Sequence, residues 1–298
     1  MRPLLDRLRS GDTVLGDGAW GTMLMDRGLD PGQAPEVFNL TRPEVLEDIA
    51  RLYLDAGAEI ITTNTFGASP PRLRQSGLED QADAINRVAV EVARRVAGDR
   101  AYVSGSVGSC GHLLRPYGEA DPVEIAAGFT RQIRALVDAG VDLLWVETMT
   151  DLTEAILAVR AARAVDQTVP IVATMTFKPT RRGYFTVMGN SIQQAVAGLS
   201  EAGADVLGSN CGSDIQAMVE IAREFRARTE RPVAIRSNAG LPEHQAGKLV
   251  YPHTPAIMGE HAGVLADLGV RLIGGCCGVT PAHVRAMRRA VDERRRPD

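Results

Sequence analysis

The sequence predicts a single (β/α)8 barrel domain over residues 1–298, and three observations carry that expectation. A unit of helix end, glycine and short apolar run recurs four times, as Asp55-Ala-Gly57-Ala-Glu-Ile-Ile61, Asp138-Ala-Gly140-Val-Asp-Leu-Leu144, Glu201-Ala-Gly203-Ala-Asp-Val-Leu207 and Asp267-Leu-Gly269-Val-Arg-Leu-Ile273. Glycine takes the left-handed conformation that stops a helix, and the apolar run after it is short enough to be a strand buried on both faces. Less regular apolar runs bring the candidate strands to eight, most of them separated by helical stretches. Finally, 298 residues is long for an ordinary domain but normal for eight β/α units with loop insertions. A doubly wound open sheet is the competing arrangement.

In chain order, the strands are expected near 13–17, 58–64, 101–106, 141–147, 169–177, 204–210, 232–238 and 270–275. The helix before the second strand is read from Val45, Leu46, Ile49, Leu52, Tyr53 and Ala56, which recur at helical spacing, with Thr41 and Glu44 placed as a capping box. No Pro/Ser-rich linker or low-complexity stretch divides the chain. The longer loops should follow the second, third, fifth and seventh strands and overhang one mouth of the barrel.

Composition narrows the function class. With 33 basic and 37 acidic residues the net charge is -4, without the positive field of a nucleic-acid binder, so small-molecule chemistry is favoured. No apolar run approaches the length of a membrane span, and Met1-Arg2-Pro3-Leu4-Leu5-Asp6 lacks a signal-peptide core, which points to a cytoplasmic protein. A reducing compartment would keep Cys110, Cys211, Cys276 and Cys277 as thiols. The five histidines, His112, His244, His253, His261 and His283, form no i, i+4 pair and are expected in loops and on the surface. Met23 and Met25 read as packing at a helix start. The basic run Arg294-Arg295-Arg296 reads as a solvated helix end.

The chemistry concentrates in the cysteines. Cys211 precedes Gly212, and Cys276-Cys277 sits between Gly275 and Gly278, each after an apolar strand-like run. Adjacent cysteines do not easily form a disulfide with each other, whereas flanking glycines let the backbone turn both sulfurs toward one ion. Zinc is the ion a thiolate set favours. In a barrel these positions follow strands six and eight, at the C-terminal mouth where Asp17, Asn64, Glu147 and Asn238 also end strands. Three thiolates on zinc leave a net charge of about -1, a poor activator of water but a good one for a fourth thiol.

Taken in order, Asp17-Gly-Ala-Trp-Gly-Thr22, Thr62-Thr-Asn64-Thr-Phe66, Glu147-Thr148, Asn210-Cys211 and Gly274-Gly-Cys-Cys-Gly278 resemble the strand-end motifs of the homocysteine S-methyltransferases. That family includes the homocysteine-binding module of cobalamin-dependent methionine synthase and betaine-homocysteine methyltransferase, and the resemblance covers nearly the whole chain. It implies a zinc enzyme of the barrel class that binds homocysteine as a zinc-bound thiolate and methylates it to methionine. Cys211, Cys276 and Cys277 would be the zinc ligands, and Asn238 the labile oxygen ligand that substrate displaces. Asn238 before Ala239-Gly240 also suits a turn. Asp17 and Glu147 would hold the ammonium of homocysteine, backbone N–H groups near Gly18 and Ala19 its carboxylate, and Asn64 would belong to the same substrate site. Asp17 beside Gly18 also suits a cap or turn.

A Rossmann-style nucleotide cofactor is not expected. Asn238-Ala-Gly-Leu-Pro242 leading to Gly247-Lys248-Leu-Val-Tyr251-Pro252 looks closer to the methionine synthase modules than to the betaine enzymes, which implies methylcobalamin on a separate corrinoid protein as donor. S-methylmethionine and betaine-type donors are the alternatives. Outside this class stand a barrel aldolase with Lys178 as Schiff-base lysine, and a non-catalytic zinc or thiol-binding module. Pro179, Arg181 and Arg182 beside Lys178 suggest an exposed loop instead. Cys110, in Gly108-Ser109-Cys110-Gly111 after strand three, is read as a loop cysteine remote from the other three.

Overall fold

The computed structural model describes residues 1–245 and 248–295. Eight parallel strands are present where expected: β1 (Val14–Leu15), β2 (Ile60–Thr62), β3 (Tyr102–Val107), β4 (Leu143–Met149), β5 (Ile171–Met175), β6 (Val206–Asn210), β7 (Val233–Ser237) and β8 (Leu272–Gly275). They run in the order β1-β8-β7-β6-β5-β4-β3-β2, and a parallel bridge from Gly16 to Ile60 joins the first to the second. The sheet therefore closes into a barrel, which disposes of the open-sheet alternative.

Side chains from all eight strands meet inside the barrel, among them Val14, Ile60, Tyr102, Leu143, Trp145, Val172, Val206, Ala234 and Leu272. The N-terminal helix Leu4–Arg9 closes the lower end by adding Leu4 and Leu8 to this cluster. Opposite strand faces pack outward against the helices, forming the larger core. The four repeated glycines take φ of 99° at Gly57, 92° at Gly140, 107° at Gly203 and 79° at Gly269, the left-handed stop that the repeat predicts.

Some local expectations need correction. The helix Pro43–Asp55 buries Val45, Leu46, Ile49 and Tyr53, but it starts without a capping box. Thr41 ends a preceding short helix, Val37–Thr41, and spends its hydroxyl on Val37 O at 2.9 Å. Pro43 at the first turn has no N–H to be capped. Loops are long after β2, β3, β5 and β7 as expected, and the last two carry two-stranded hairpins, Lys178–Thr180 with Gly183–Phe185 and Glu243–Gln245 with Lys248–Val250. A further long connection follows β1, with the short helices Gly21–Met25 and Val37–Thr41.

His261 and His283 are not surface residues. His261 is buried on the helix Pro255–Asp267 with Nε2 2.8 Å from Ser237 Oγ, and His283 is buried with Nε2 2.8 Å from His253 O. Met23 is buried as a packing residue, while Met25 is exposed. At the C-terminal helix end Arg294 pairs with Asp267 at 2.9 Å. Gly247 and Arg296, both named above, lie outside the described residues. Among the described residues no helix is long and apolar enough to cross a membrane.

Candidate active site

The barrel interior holds a buried arginine that the fold must accommodate. Arg236 on β7 is 3% exposed, and its guanidinium lies 5.0 Å from the centre of the Trp145 ring on β4. Space for it comes from the neighbouring strand, since a Cβ on Gly274 would stand 3.1 Å from Arg236 Cγ. From there the guanidinium reaches the mouth, where Nε donates to Gly275 O at 2.8 Å and Nη2 to Asp17 Oδ1 at 2.8 Å and Gly18 O at 3.3 Å. Nη1 is looser, 3.4 Å from Thr62 Oγ1 and 3.5 Å from Glu147 Oε2.

The two predicted carboxylates therefore differ. Asp17 is fully buried and accepts four hydrogen bonds: Thr62 Oγ1 and Arg236 Nη2 on Oδ1, Thr62 N–H and Trp20 Nε1 on Oδ2. Glu147 accepts from Ser106 Oγ at 2.6 Å on Oε1, while Oε2 has only the long contact to Arg236. Burial raises the affinity of Glu147 for a proton, against the opposing pull of Arg236 and the Ser106 hydrogen bond. Of the other predicted substrate contacts, Ala19 N–H is engaged with Val279 O at 2.9 Å. Asn64 Nδ2 donates to Pro35 O and Asn39 Oδ1, both at 2.8 Å, and so anchors the loop after β1.

Cys211, Cys276 and Cys277 converge above these residues, their sulfurs within 4.8 Å of one another. A tetrahedral ion with bonds of about 2.3 Å spaces its sulfurs by about 3.8 Å, so the set fits zinc with little movement. The loops are shaped for this. Cys211 itself adopts a left-handed φ of 61°, and Gly278, at φ 77°, lies so close to Tyr251 that a Cβ would meet its ring at 2.1 Å. Cys211 N–H donates to Arg236 O and Cys276 N–H to Ser237 O, tying both cysteines to β7. Asn210 Nδ2 lies 3.8 Å from Cys276 Sγ, and Asn238 Oδ1 accepts from Cys277 N–H at 3.1 Å.

Protons are held unevenly among the three sulfurs. Hydrogen bonds from the Cys276 and Cys277 thiols draw Cys211 well below the usual thiol range, and donating those hydrogen bonds, with burial and the charge of Cys211 adding less, pushes Cys276 up and Cys277 up to about 11. One thiolate thus forms readily, and a divalent cation would supply the charge to ionise the others.

Of the three cysteines, Cys276 lines a cavity of about 480 Å³. Thr148, Glu147, Ser106, Arg236, Phe66 and Arg72 line it as well. Lys178 is exposed on the hairpin after β5, outside this cavity, which removes the setting an aldolase lysine needs. Cys110 does not join the cluster. It is buried beside Glu154, which accepts its N–H at 2.6 Å, and burial together with that carboxylate pushes its thiol up to about 12.

Sequence reasoning overlooked Arg236, although a signal was available. It is the one charged residue in the otherwise apolar run Val233-Ala-Ile-Arg236, and a lone charge within a buried strand needs partners.

Fold and site define the class: a (β/α)8 barrel whose C-terminal mouth carries three convergent thiols beside a charged cavity. The chain belongs to the homocysteine S-methyltransferase family, whose model matches residues 14–291. It is 35% identical over 312 residues to a methionine synthase of Mycobacterium tuberculosis (strain ATCC 25618 / H37Rv), covering 99% of this chain and 26% of that protein. It is 29% identical over 314 residues to betaine–homocysteine S-methyltransferase 1 of Danio rerio, covering 96% of this chain and 74% of that one. The chain thus spans about a quarter of the length of the mycobacterial methionine synthases it matches. Its fold superposes on the metallated form of the homocysteine methyltransferase MmuM from Escherichia coli with a TM-score of 0.81 at 24% identity, over 97% of this chain and 99% of that one.

Proposed function

We propose that residues 1–298 form one homocysteine-binding barrel, a cytoplasmic enzyme that methylates homocysteine to methionine. The observation that carries this reading is that Cys276, one of three convergent cysteines, lines the same cavity as the under-bonded Glu147 carboxylate. A thiol at one end and an ammonium at the other describe a short amino thiol. Cys211, Cys276 and Cys277 would hold zinc, with the Asn238 side chain as a fourth ligand that substrate replaces. When bound, zinc would keep the acceptor sulfur deprotonated at neutral pH, where a free thiol with a pKa of about 8.5 is mostly protonated.

The chain's own residues supply the positioning. Glu147 takes the ammonium, and the acceptor sulfur would face the barrel mouth. The donor methyl carbon arrives from that side. The new sulfur–carbon bond forms as the bond from carbon to its carrier breaks, the carrier keeps that electron pair, and the thiol proton has already gone to solvent.

A methylated corrinoid protein is the donor we favour, because the mycobacterial relatives are named methionine synthases and align over nearly all of this chain. Betaine or S-methylmethionine is the second reading, supported by the likeness to betaine–homocysteine S-methyltransferases. The test is a donor panel with homocysteine: methylcobalamin, S-methylmethionine and betaine, with methionine quantified. Methionine from methylcobalamin supports the first reading and methionine from another donor the second, whereas none from any donor would reject a homocysteine methyltransferase.

A further inference from the structure

Arg236 breaks the symmetry expected of two carboxylates facing one ammonium. It fills Asp17, whose two oxygens already accept four hydrogen bonds from Arg236, Thr62 and Trp20. Beside Asp17 the cavity is lined by a loosely bonded acceptor, Glu147 Oε2, and a loosely bonded donor, Arg236 Nη1, 3.5 Å apart. Among the described residues Nη1 makes no hydrogen bond shorter than 3.4 Å, while Nε and Nη2 are held at 2.8 Å by Gly275 O and Asp17. The guanidinium is thus fixed at one side and free to accept a partner at the other. Ala19 N–H, one of the backbone donors suited to a substrate carboxylate, is engaged with Val279 O.

We infer that Arg236 is a specificity-determining residue that binds the carboxylate of the acceptor thiol through Nη1. Glu147 binds the ammonium, and Asp17 is a positioning residue that fixes the guanidinium without touching substrate. An adjacent acceptor and donor match the zwitterionic end of an α-amino acid, whose two charges lie on one carbon. This rests on the homocysteine reading and sharpens it: the site should reject a thiol that lacks either charge.

The experiment measures binding of three thiols to the zinc-loaded protein by calorimetry: homocysteine, 3-mercaptopropylamine, which lacks the carboxylate, and 4-mercaptobutanoate, which lacks the ammonium. Wild type should bind both truncated thiols on the order of 10- to 100-fold more weakly than homocysteine, the scale of one charge-assisted hydrogen bond. Arg236→Met should erase the preference for homocysteine over 3-mercaptopropylamine and keep the preference over 4-mercaptobutanoate. Should Arg236→Met leave Asp17 unpaired and unfold the protein, Asp17→Asn/Arg236→Met removes both charges together, and the same loss of discrimination is required. Undiminished discrimination against 3-mercaptopropylamine in a folded variant overturns the inference alone. Failure of wild type to bind homocysteine overturns the functional reading and the inference with it.

Discussion

Asn210 grips Thr148 at two points, its Oδ1 accepting from Thr148 N–H at 2.8 Å and its Nδ2 donating to Thr148 Oγ1 at 2.7 Å. Thr148 has a φ of 58°, a conformation a β-branched residue adopts only under constraint, at a cost of roughly 1–3 kcal/mol. Asn210 also accepts from Thr174 Oγ1 at 2.8 Å and reaches Cys276, so one amide spans β4, β5 and the cysteine loop.

Replacing this amide should release that strain and lose the cavity wall. Asn210→Ala is expected to destabilise the protein by about 2–4 kcal/mol, because Thr148 N–H and Thr174 Oγ1 lose their acceptor in a buried setting. Urea unfolding checks the value, and a loss under 1 kcal/mol would mean the clamp contributes little.

Cys276→Ser should abolish zinc binding and methyl transfer together. A hydroxyl is a far weaker zinc ligand than a thiolate, so bound metal should fall from about one ion per chain toward none. Metal analysis by atomic emission alongside methionine formation decides it, and full activity with the serine in place would refute the proposed mechanism.

Asn238→Ala should retain zinc while changing its coordination. X-ray absorption of the substrate-free protein is expected to lose an oxygen scatterer and keep three sulfurs. Homocysteine should bind a few-fold more tightly, on the order of the weak competition a neutral amide provides. An unchanged spectrum would exclude Asn238 as a ligand.

His261 makes stability depend on pH. Burial, with a smaller contribution from His253, lowers its pKa from 6.5 to about 4, so the folded state keeps it neutral where the unfolded chain protonates it. Its contribution is whole above pH 6.5 and is lost as pH falls toward 4. Relative to His261→Gln, wild type should lose about 2 kcal/mol more between pH 7 and pH 5. Equal losses in urea titrations would show that the imidazole is not held neutral.

The barrel was legible in the sequence because its signals are local. Gly57, Gly140, Gly203 and Gly269 stop helices with their own backbone, and each strand follows within a few residues. The connection after β1 was not legible, since the five-residue helices Gly21–Met25 and Val37–Thr41 are too short to print a period. The cysteines could be placed at one mouth from strand order alone. Which carboxylate is saturated could not, because the contact of Arg236 with Asp17 joins residues 219 positions apart and depends on barrel closure. The Thr41 and Glu44 pattern misled for the opposite reason: it is local, and Pro43 between them starts the helix differently.

The N-terminal helix beneath the barrel has a kinetic corollary. Leu4 and Leu8 pack into the barrel interior from below, so on the proposed reaction the acceptor and the methyl carrier would both approach the cavity from the C-terminal mouth. This would impose a queue, in which the acceptor enters before the carrier docks and methionine leaves only after the carrier has gone. Methionine should then compete with homocysteine for the free enzyme, and turnover should be paced by how quickly the carrier clears the entrance.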